Sequence, residues 1–187
     1  MDSKDLGYFS HFPLLASCIA RTKGPILELG CGWGSTPMIH YAAWNRFRVT
    51  ADTNLEWLKT FAEGYASPRN HEFIHVKPTV HDPETNRYNI EAWDRFMDSW
   101  ANVTKWGVAF VDQAPGEARV PSIMKLKGNA NFIVAHDGEA DEPGGGGNYR
   151  WRDLNGVFKY RTIMKRMRPW TIIYSDLEPF PLEPIDV

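Results

Sequence analysis

Short apolar runs alternate with helical patterns along most of the 187-residue chain, and this alternation restricts the possible folds more than any other feature. Six runs are short and rich in β-branched residues, which favours strands over buried helices. They are 25–29, 47–52, 72–76, 107–112, 131–137 and 171–175. Strands that alternate with helices form parallel sheets covered on both faces. We therefore predict one α/β domain over 1–187, doubly wound, with a mostly parallel sheet of six to seven strands and helices on both faces.

Helical patterns occupy the segments between these strands. Thr36 is predicted as the N-cap of one helix, with Pro37 at its first position, and Asn54 as the N-cap of the next. The N-terminal segment 8–20 is predicted to lead as a helix into the first strand. The helices predicted between the strands, including the two that follow Thr36 and Asn54, are 35–44, 54–66, 89–100 and 154–167. Only the proline-rich end, 177–187, is then left for a seventh strand, as a poor edge strand or none.

Composition is ordinary for a globular protein, with 43% hydrophobic residues, 24% charged residues and a net charge of −2. Such a small net charge gives no general attraction to membranes or to nucleic acid, and neither is expected as a partner. Only two cysteines are present, Cys18 and Cys31, which suits a reducing compartment. The N-terminus lacks a signal-peptide layout and no apolar run is long enough to span a bilayer, so we predict a cytoplasmic protein.

The stretch LELGCGWGST, 27–36, leaves a strand, places three glycines in five residues and then begins a helix. Glycines let a ligand approach the main chain closely, and a helix N-terminus offers free N–H groups. The dinucleotide pattern G-x-G-x-x-G is not met, because Ser35 stands where its third glycine would be. A P-loop does not fit either, because no lysine follows the glycines.

The sequence ELGCGWG resembles motif I, E-x-G-x-G-x-G, of the class I S-adenosylmethionine-dependent methyltransferases, which have a Rossmann-like fold. The resemblance runs from about residue 7 to residue 175 and is specific only at 26–36, 52, 110–116 and 134–139. It implies that S-adenosylmethionine is the cofactor and that the glycines pass under its amino-acid end. The implied cofactor-binding residues are Glu28, Gly30, Cys31, Gly32, Gly34, Ser35, Asp52, Thr53 and Asp112.

Asp52 ends the second predicted strand, 20 residues after Gly32. A carboxylate at this position can accept hydrogen bonds from two ribose hydroxyls, as in Rossmann-type sites. The family resemblance implies the same role. The alternative is a turn residue that precedes a helix and has no ligand.

The fourth and fifth predicted strands end in VDQAPGEAR and AHDGE, so their polar side chains should meet at one edge of the sheet. This pair is similar to small methyltransferases whose fourth strand ends in V-D-x-x-P and whose fifth ends in H-D. We predict Asp112, His136 and Asp137 as catalytic residues, with His136 as the base that removes the acceptor's proton. Asp137 and Asp112 could each orient His136 or ligate a metal. The alternative is that they are only hydrogen-bonded strand-end and turn residues.

Some O-methyltransferases of this fold hold Mg²⁺ with acidic residues at these strand ends. Here Asp112 and Asp137 would be the ligands, with Glu139 as a weaker third. The third ligand is not evident, and Gln113 stands where a charged or imidazole side chain would help. We therefore predict no metal site and do not favour Mg²⁺.

Seven cations and only one acidic residue, Asp153, lie between residues 150 and 170. The cations are Arg150, Arg152, Lys159, Arg161, Lys165, Arg166 and Arg168. They could form a solvated helix face opposite the acidic chain end, a pocket for an anionic substrate, or a nucleic-acid surface, for which one helix face is a small footprint. The glycine-rich segment 137–151 is either a slack surface connection or a lid over the site.

These observations predict an S-adenosylmethionine-dependent methyltransferase that acts on oxygen or nitrogen of a small molecule. Because the chain is short for this fold, the alternative to a small substrate is a pocket completed by a second copy in a homo-oligomer. Two other functions stay open. One is aminopropyl transfer, with Asp112 and the acidic cluster at 137–142 holding a polyamine, and the other is cofactor binding without turnover.

Overall fold

The computed structural model describes residues 9–67, 69–78, 87–143, 147 and 149–181. Within them, seven strands form one sheet in the order β3-β2-β1-β4-β5-β7-β6. The strands are β1 Ile26–Leu29, β2 Arg48–Asp52, β3 His71–His75, β4 Trp106–Val111, β5 Ala130–Ala135, β6 Tyr160–Met164 and β7 Thr171–Ser175. Strands β1 to β5 pair in parallel, and β7 is antiparallel to both its neighbours. The predicted doubly wound, mostly parallel sheet is confirmed, with seven strands.

Helices flank the sheet because successive strand residues point to opposite faces. In β1, Leu27 and Leu29 join the larger core, whereas Ile26 joins a second core. Residues of α4 and α5 pack into the larger core, and residues of α1 and α2 into the second. The helices in the described part of the chain are α1 Phe12–Arg21, α2 Ser35–Ala42, α3 Leu55–Tyr65, α4 Arg87–Trp100 and α5 Arg119–Leu126.

The residues at which α2 and α3 begin allow a check of two predicted N-caps. Asn54 is the N-cap of α3, as predicted, and its side chain accepts the N–H of Trp57 at 3.0 Å. Thr36 was wrongly predicted as the N-cap of α2 and Pro37 as its first residue, because the helix begins two residues earlier, at Ser35, with Gly34 as its N-cap. The Thr36 hydroxyl instead lies inside the helix and donates to Glu28. The helix predicted at 89–100 is confirmed within α4.

The helix predicted at 154–167 is wrong. A short 3-10 turn, Trp151–Leu154, is followed by β6, which forms an edge of the sheet and pairs with β7. The physical reason is local, because Gly156 has a φ of +73° and β6 itself is rich in aromatic and β-branched residues. The seventh strand therefore comes from this segment. The described part of the chain end, 177–181, contains no strand, and 182–187 lies outside the described residues.

The pairing directions bring three strand ends and one loop to the same edge of the sheet. Strands β4 and β5 end there, and β6 also ends there because it is parallel to β5. The loop 165–170 between β6 and β7 therefore lies beside the carboxyl end of β5. No helix in the described part of the chain is long and apolar enough to cross a membrane.

The glycine-rich segment after β5 is described only in part, because 144–146 and 148 lie outside the described residues. The Asp141 carboxylate accepts the backbone N–H groups of Tyr149, Arg150 and Trp151. These bonds hold the two ends of the segment together. Whether it serves as a connection or as a lid stays a prediction.

Candidate functional site

Two of the three glycines in the turn after β1, Gly30 and Gly32, differ in their packing. Gly30 has a φ of +88°, and a Cβ atom built on it would lie 2.6 Å from the carbonyl oxygen of Asp112. This position therefore needs glycine for the fold itself. A Cβ atom on Gly32 would meet only the Ser35 hydroxyl, at 3.8 Å, so its outer side is open. The open backbone at Gly32 is where a ligand can approach.

Glu28 lies behind the glycine turn rather than in its open face. Its side chain is completely buried and accepts hydrogen bonds from the hydroxyls of Thr36, at 3.0 Å, and Thr50, at 2.6 Å. Thr36 in turn accepts the backbone N–H of Gly32 at 3.0 Å. Burial raises the pKa of Glu28 to about 7, against the opposing effect of the hydroxyls, of which Ser35 has the largest. Glu28 thus supports the turn through Thr36.

Asp52 ends β2 beside the glycine turn. One carboxylate oxygen accepts the N–H of Cys31 at 3.0 Å, and the other accepts the N–H of Asn54 at 2.8 Å. Burial raises the pKa of Asp52, although these N–H groups oppose the change. A cavity of about 520 Å³ opens next to it and is lined by Thr53, Asn54, Leu55, Glu56, His75, Lys77, Pro78 and Asn89. A carboxylate between a glycine turn and a cavity of this size can accept hydroxyl donors of a nucleoside.

A second cluster forms where β4 and β5 end. His136 Nδ1 lies 3.3 Å from Asp112 Oδ1 and 3.6 Å from Asp137 Oδ1. Arg119, the first residue of α5, contacts both carboxylates, at 2.9 Å for Asp112 and 2.8 Å for Asp137. Its guanidinium also donates to the carbonyl oxygens of Gln113 and His136, at 3.0 Å each. The three predicted catalytic residues therefore meet, and Arg119 joins them.

The charges in this cluster lower the pKa of Asp112 and raise the pKa of His136. Burial tends to raise the pKa of Asp112, but Arg119 and then His136 hold it below its usual range. Burial tends to lower the pKa of His136, but Asp112 and then Asp137 raise it above 6.5. A proton in this cluster is therefore more stable on His136 than on Asp112. The side chain of Asp112 is 27% exposed and that of His136 only 8%, so the carboxylate faces solvent and the imidazole lies behind it.

The segment before α1 closes the back of this cluster. The Ser10 hydroxyl lies 2.9 Å from His136 Nε2. The buried His11 ring packs against Phe110 and His136, with ring centroids 4.7 and 4.9 Å away. Burial, with His136 as a second cause, lowers the pKa of His11 to about 3, so the ring is neutral at physiological pH. Neither ring nitrogen has a hydrogen-bond partner in the described part of the chain.

The Asp112, His136 and Asp137 side chains offer ligand atoms within 4.8 Å of one another, which is a spacing that a metal ion could use. Two contacts argue against a Mg²⁺ site here. Arg119 already forms ion pairs with both carboxylates, and Glu139 accepts the N–H of Trp170 at 2.5 Å instead of joining the cluster. The positive guanidinium of Arg119 lies between the two carboxylates, where a metal ion would otherwise supply the positive charge. These residues therefore do not fit Mg²⁺.

The other predicted cofactor residues lie in the same region but differ in exposure. Ser35 is buried at the start of α2, and Cys31 is buried with its Sγ 3.5 Å from Asp52. The Thr53 hydroxyl donates to the carbonyl oxygen of Ala114 at 3.5 Å, which connects the ends of β2 and β4. Arg119 is the residue that the sequence analysis missed. The sequence offers one indication of its role, which is that it follows Asp112 in the same segment after β4. Residue type gives none, because arginine in a first helical turn is usually exposed.

Comparisons with proteins of known structure agree on the fold. A protein from Staphylococcus aureus assigned as a caffeoyl-CoA O-methyltransferase aligns with a TM-score of 0.61 at 11% identity, over 87% of this chain and 81% of that one. The N-methyltransferase NodS from Bradyrhizobium japonicum WM9 gives a TM-score of 0.53 at 10% identity, over 88% and 91%. The N-terminal domain of human METTL16 in complex with SAH gives 0.55 at 9% identity, over 90% and 69%.

No protein family and no curated protein matches the sequence itself. At these low identities the structural likeness shows the fold alone, which is that of S-adenosylmethionine-dependent methyltransferases.

Proposed function

We propose that this chain is an S-adenosylmethionine-dependent methyltransferase that transfers a methyl group to an oxygen or nitrogen atom of a small-molecule acceptor. One observation carries the proposal. The Asp52 carboxylate accepts a main-chain N–H of the glycine turn at 3.0 Å and stands next to a cavity of about 520 Å³. The fold shared with methyltransferases, including one in complex with SAH, supports the choice of cofactor.

The cofactor site divides into contacting and supporting residues. Gly32 leaves the main chain open before α2, buried Gly34 is the N-cap of that helix, and Asp52 offers its carboxylate to the ribose hydroxyls. Thr53 begins the wall of the adjacent cavity. Gly30, Cys31, Glu28 and Ser35 hold the turn in shape. S-adenosylmethionine supplies a methyl group that its positive sulfur already activates, so the protein needs mainly to position the acceptor and accept a proton.

Asp112 and His136 are suited to accept that proton. Asp112 is the more exposed of the two, so an acceptor in solution can reach it more easily. If the Nε2–H of His136 donates to Ser10, its Nδ1 lone pair points to Asp112, 3.3 Å away. A proton released at Asp112 then passes to Nδ1, where the resulting imidazolium lies between two carboxylates. Arg119 and Asp137 keep this pair oriented.

The chemistry that we propose uses no metal, because Arg119 supplies a positive charge to both Asp112 and Asp137. Asp112 and Asp137 both contact Arg119, and Asp141 and Glu139 accept main-chain N–H groups, so these carboxylates already have partners other than a polyamine. We therefore do not propose aminopropyl transfer.

The test is a transfer assay with methyl-labelled S-adenosylmethionine and a panel of small oxygen and nitrogen acceptors, in the presence of EDTA. We expect labelled product from at least one acceptor, and at least about tenfold less from Asp112→Asn, in which proton transfer to His136 is interrupted. Two results would contradict the proposal. One is a protein that binds the cofactor and methylates no member of the panel, and the other is transfer that appears only after Mg²⁺ is added.

A further inference from the structure

The loop 165–170 between β6 and β7, called here the basic loop, carries three cations in four residues. Lys165, Arg166 and Arg168 are all exposed, and in the described part of the chain none of them has an acidic partner. Several cations elsewhere in the described residues do have acidic partners. Lys125 contacts Asp94 and Asp98, at 2.6 and 2.5 Å. The remaining paired cations, each with its partner, are Lys59 with Glu56, Arg119 with Asp112 and Asp137, Lys127 with Asp176, and Arg150 with Asp153.

Three like charges on one short loop repel one another, so folding alone does not favour the arrangement. The loop is nevertheless held in place. Lys165 Nζ lies 4.3 Å from the ring centroid of Trp170, and the Arg168 guanidinium lies 5.8 Å from the same ring. An aromatic ring that holds two cations in position reduces the entropy that a ligand would have to overcome.

The basic loop is hydrogen-bonded to the segment that follows β5 and His136 in the candidate site. The carbonyl oxygen of Trp170 accepts the N–H of Gly138 at 2.8 Å, and the N–H of Trp170 donates to Glu139. A Cβ atom on Gly138 would lie 3.3 Å from the Trp170 Cβ, so the two segments pack closely. In the sheet, Ala135 pairs with Ile172, which places His136 next to the end of the loop. The cations therefore stand at the same edge of the sheet as Asp112 and His136.

We infer that the basic loop is the acceptor-recognition element and that the acceptor is a small molecule with a phosphate, diphosphate or carboxylate group. The inference rests on the proposed function for the role of the anion as part of an acceptor. Arginine and lysine bind such groups through charge-assisted hydrogen bonds, and the anion would relieve the repulsion within the loop. The loop binds the charged end of the acceptor and leaves its oxygen or nitrogen nucleophile to Asp112.

The test uses inorganic pyrophosphate as the probe, titrated by calorimetry into the protein saturated with S-adenosylhomocysteine. We compare the wild type with the triple variant Lys165→Gln, Arg166→Gln, Arg168→Gln. The control triple variant is Lys23→Gln, Arg69→Gln, Arg95→Gln, which neutralises three exposed cations on other elements. We expect the basic-loop variant to bind pyrophosphate at least about tenfold more weakly at low salt, and the control to match the wild type.

Two further readouts make the result specific. The imidazole NMR signals of His136 should shift on addition of pyrophosphate, while those of His40 should not, because only His136 lies beside the loop. S-adenosylhomocysteine affinity should be equal in all three proteins. If the wild type does not bind S-adenosylhomocysteine, the proposed function is contradicted. In that case pyrophosphate titrated into the protein without S-adenosylhomocysteine still tests the basic loop.

The inference is overturned if pyrophosphate does not bind the wild type, or if the basic-loop variant binds it as well as the control does. A single-stranded RNA that binds through the same cations far more tightly than pyrophosphate, with a steep salt dependence, would also overturn it in favour of nucleic acid.

Discussion

Glu28, Asp52 and Asp112 belong to three adjacent strands or their ends, and their neighbours give each carboxylate a different state. Glu28 is buried under three hydroxyl groups, and burial raises its pKa to about 7. Asp52 accepts main-chain N–H groups on both oxygens. Asp112 is held ionised by Arg119 and His136. The first supports the glycine turn, and in our proposal the second binds the ribose and the third contacts the acceptor.

Asp52→Ala tests the ribose assignment. Hydrogen bonds to a charged group contribute about 1.5–3 kcal/mol, so affinity for S-adenosylhomocysteine should fall about ten- to hundredfold in calorimetry. Glu63→Ala, which removes an exposed carboxylate from α3, the helix that follows Asp52 in the chain, should bind like the wild type. Circular dichroism shows that each variant is folded. Equal affinity in a folded Asp52→Ala protein would refute the assignment.

His136 and Asp112 can be tested without knowing the acceptor. The carboxylate raises the pKa of the imidazole, so the NMR titration of His136 in the wild type should have a midpoint above 6.5. Asp112→Asn removes the negative charge, and the His136 midpoint should fall by about one unit or more. As a base, His136 must be neutral, so the methylation rate should rise with pH through that midpoint. A His136 titration that is the same in both proteins would show that the pair is not coupled.

The sequence alone was enough to identify Asp52, Asp112, His136 and Asp137, because strand ends in parallel sheets meet at one edge. It was not enough for Arg119. Whether an arginine is exposed or lies between two carboxylates depends on where its helix packs, and residue type does not encode that position. The roles assigned to these residues remain predictions.

At the scale of elements, the glycine turn has one position where the fold requires glycine, Gly30, and one with open space where we propose that the cofactor approaches, Gly32. Gly30→Ala would put a side chain at φ +88°, 2.6 Å from a carbonyl oxygen. The free energy of unfolding, measured in urea, should fall by about 2–4 kcal/mol. The matched variant Gly128→Ala has φ +73° but open space around it, and should lose only the backbone strain.

Gly32→Ala should give the opposite pattern. Its Cβ meets nothing closer than 3.8 Å, so stability should change by less than about 1 kcal/mol. S-adenosylhomocysteine affinity should nevertheless fall at least about tenfold, because the added methyl group occupies the space where the ligand approaches. Unchanged affinity in this variant would mean that the turn is only structural.

The two elements that sequence reasoning missed have different causes. The segment 154–167 has helical spacing of its charges, but its edge position in the sheet, paired with β7, decides its conformation. Strand pairing is a tertiary effect that overrides local propensity. Helix α5 was overlooked because Pro121 interrupts its pattern, although proline is tolerated in a first turn.

At the scale of the whole molecule, buried histidines make stability depend on pH. Burial lowers the pKa of His11 from 6.5 to about 3. Between these values the unfolded chain binds a proton that the folded chain does not, so the free energy of unfolding falls as the pH drops from 6.5 towards 3.

His11→Phe keeps the ring contact with Phe110 and removes the titrating group. Its urea stability should therefore decline less steeply than that of the wild type between pH 6.5 and pH 4. Identical slopes would mean that His11 is protonated in the folded protein or is not buried.

The central claim is that the cleft formed by the glycine turn and Asp52 binds S-adenosylmethionine. The most direct measurement is calorimetry of the wild-type protein with S-adenosylmethionine, S-adenosylhomocysteine and NAD⁺. We predict micromolar binding of the first two and none of NAD⁺, because the glycine pattern is not that of a dinucleotide site. Binding of neither sulfur compound, or binding of NAD⁺ instead, would contradict the claim.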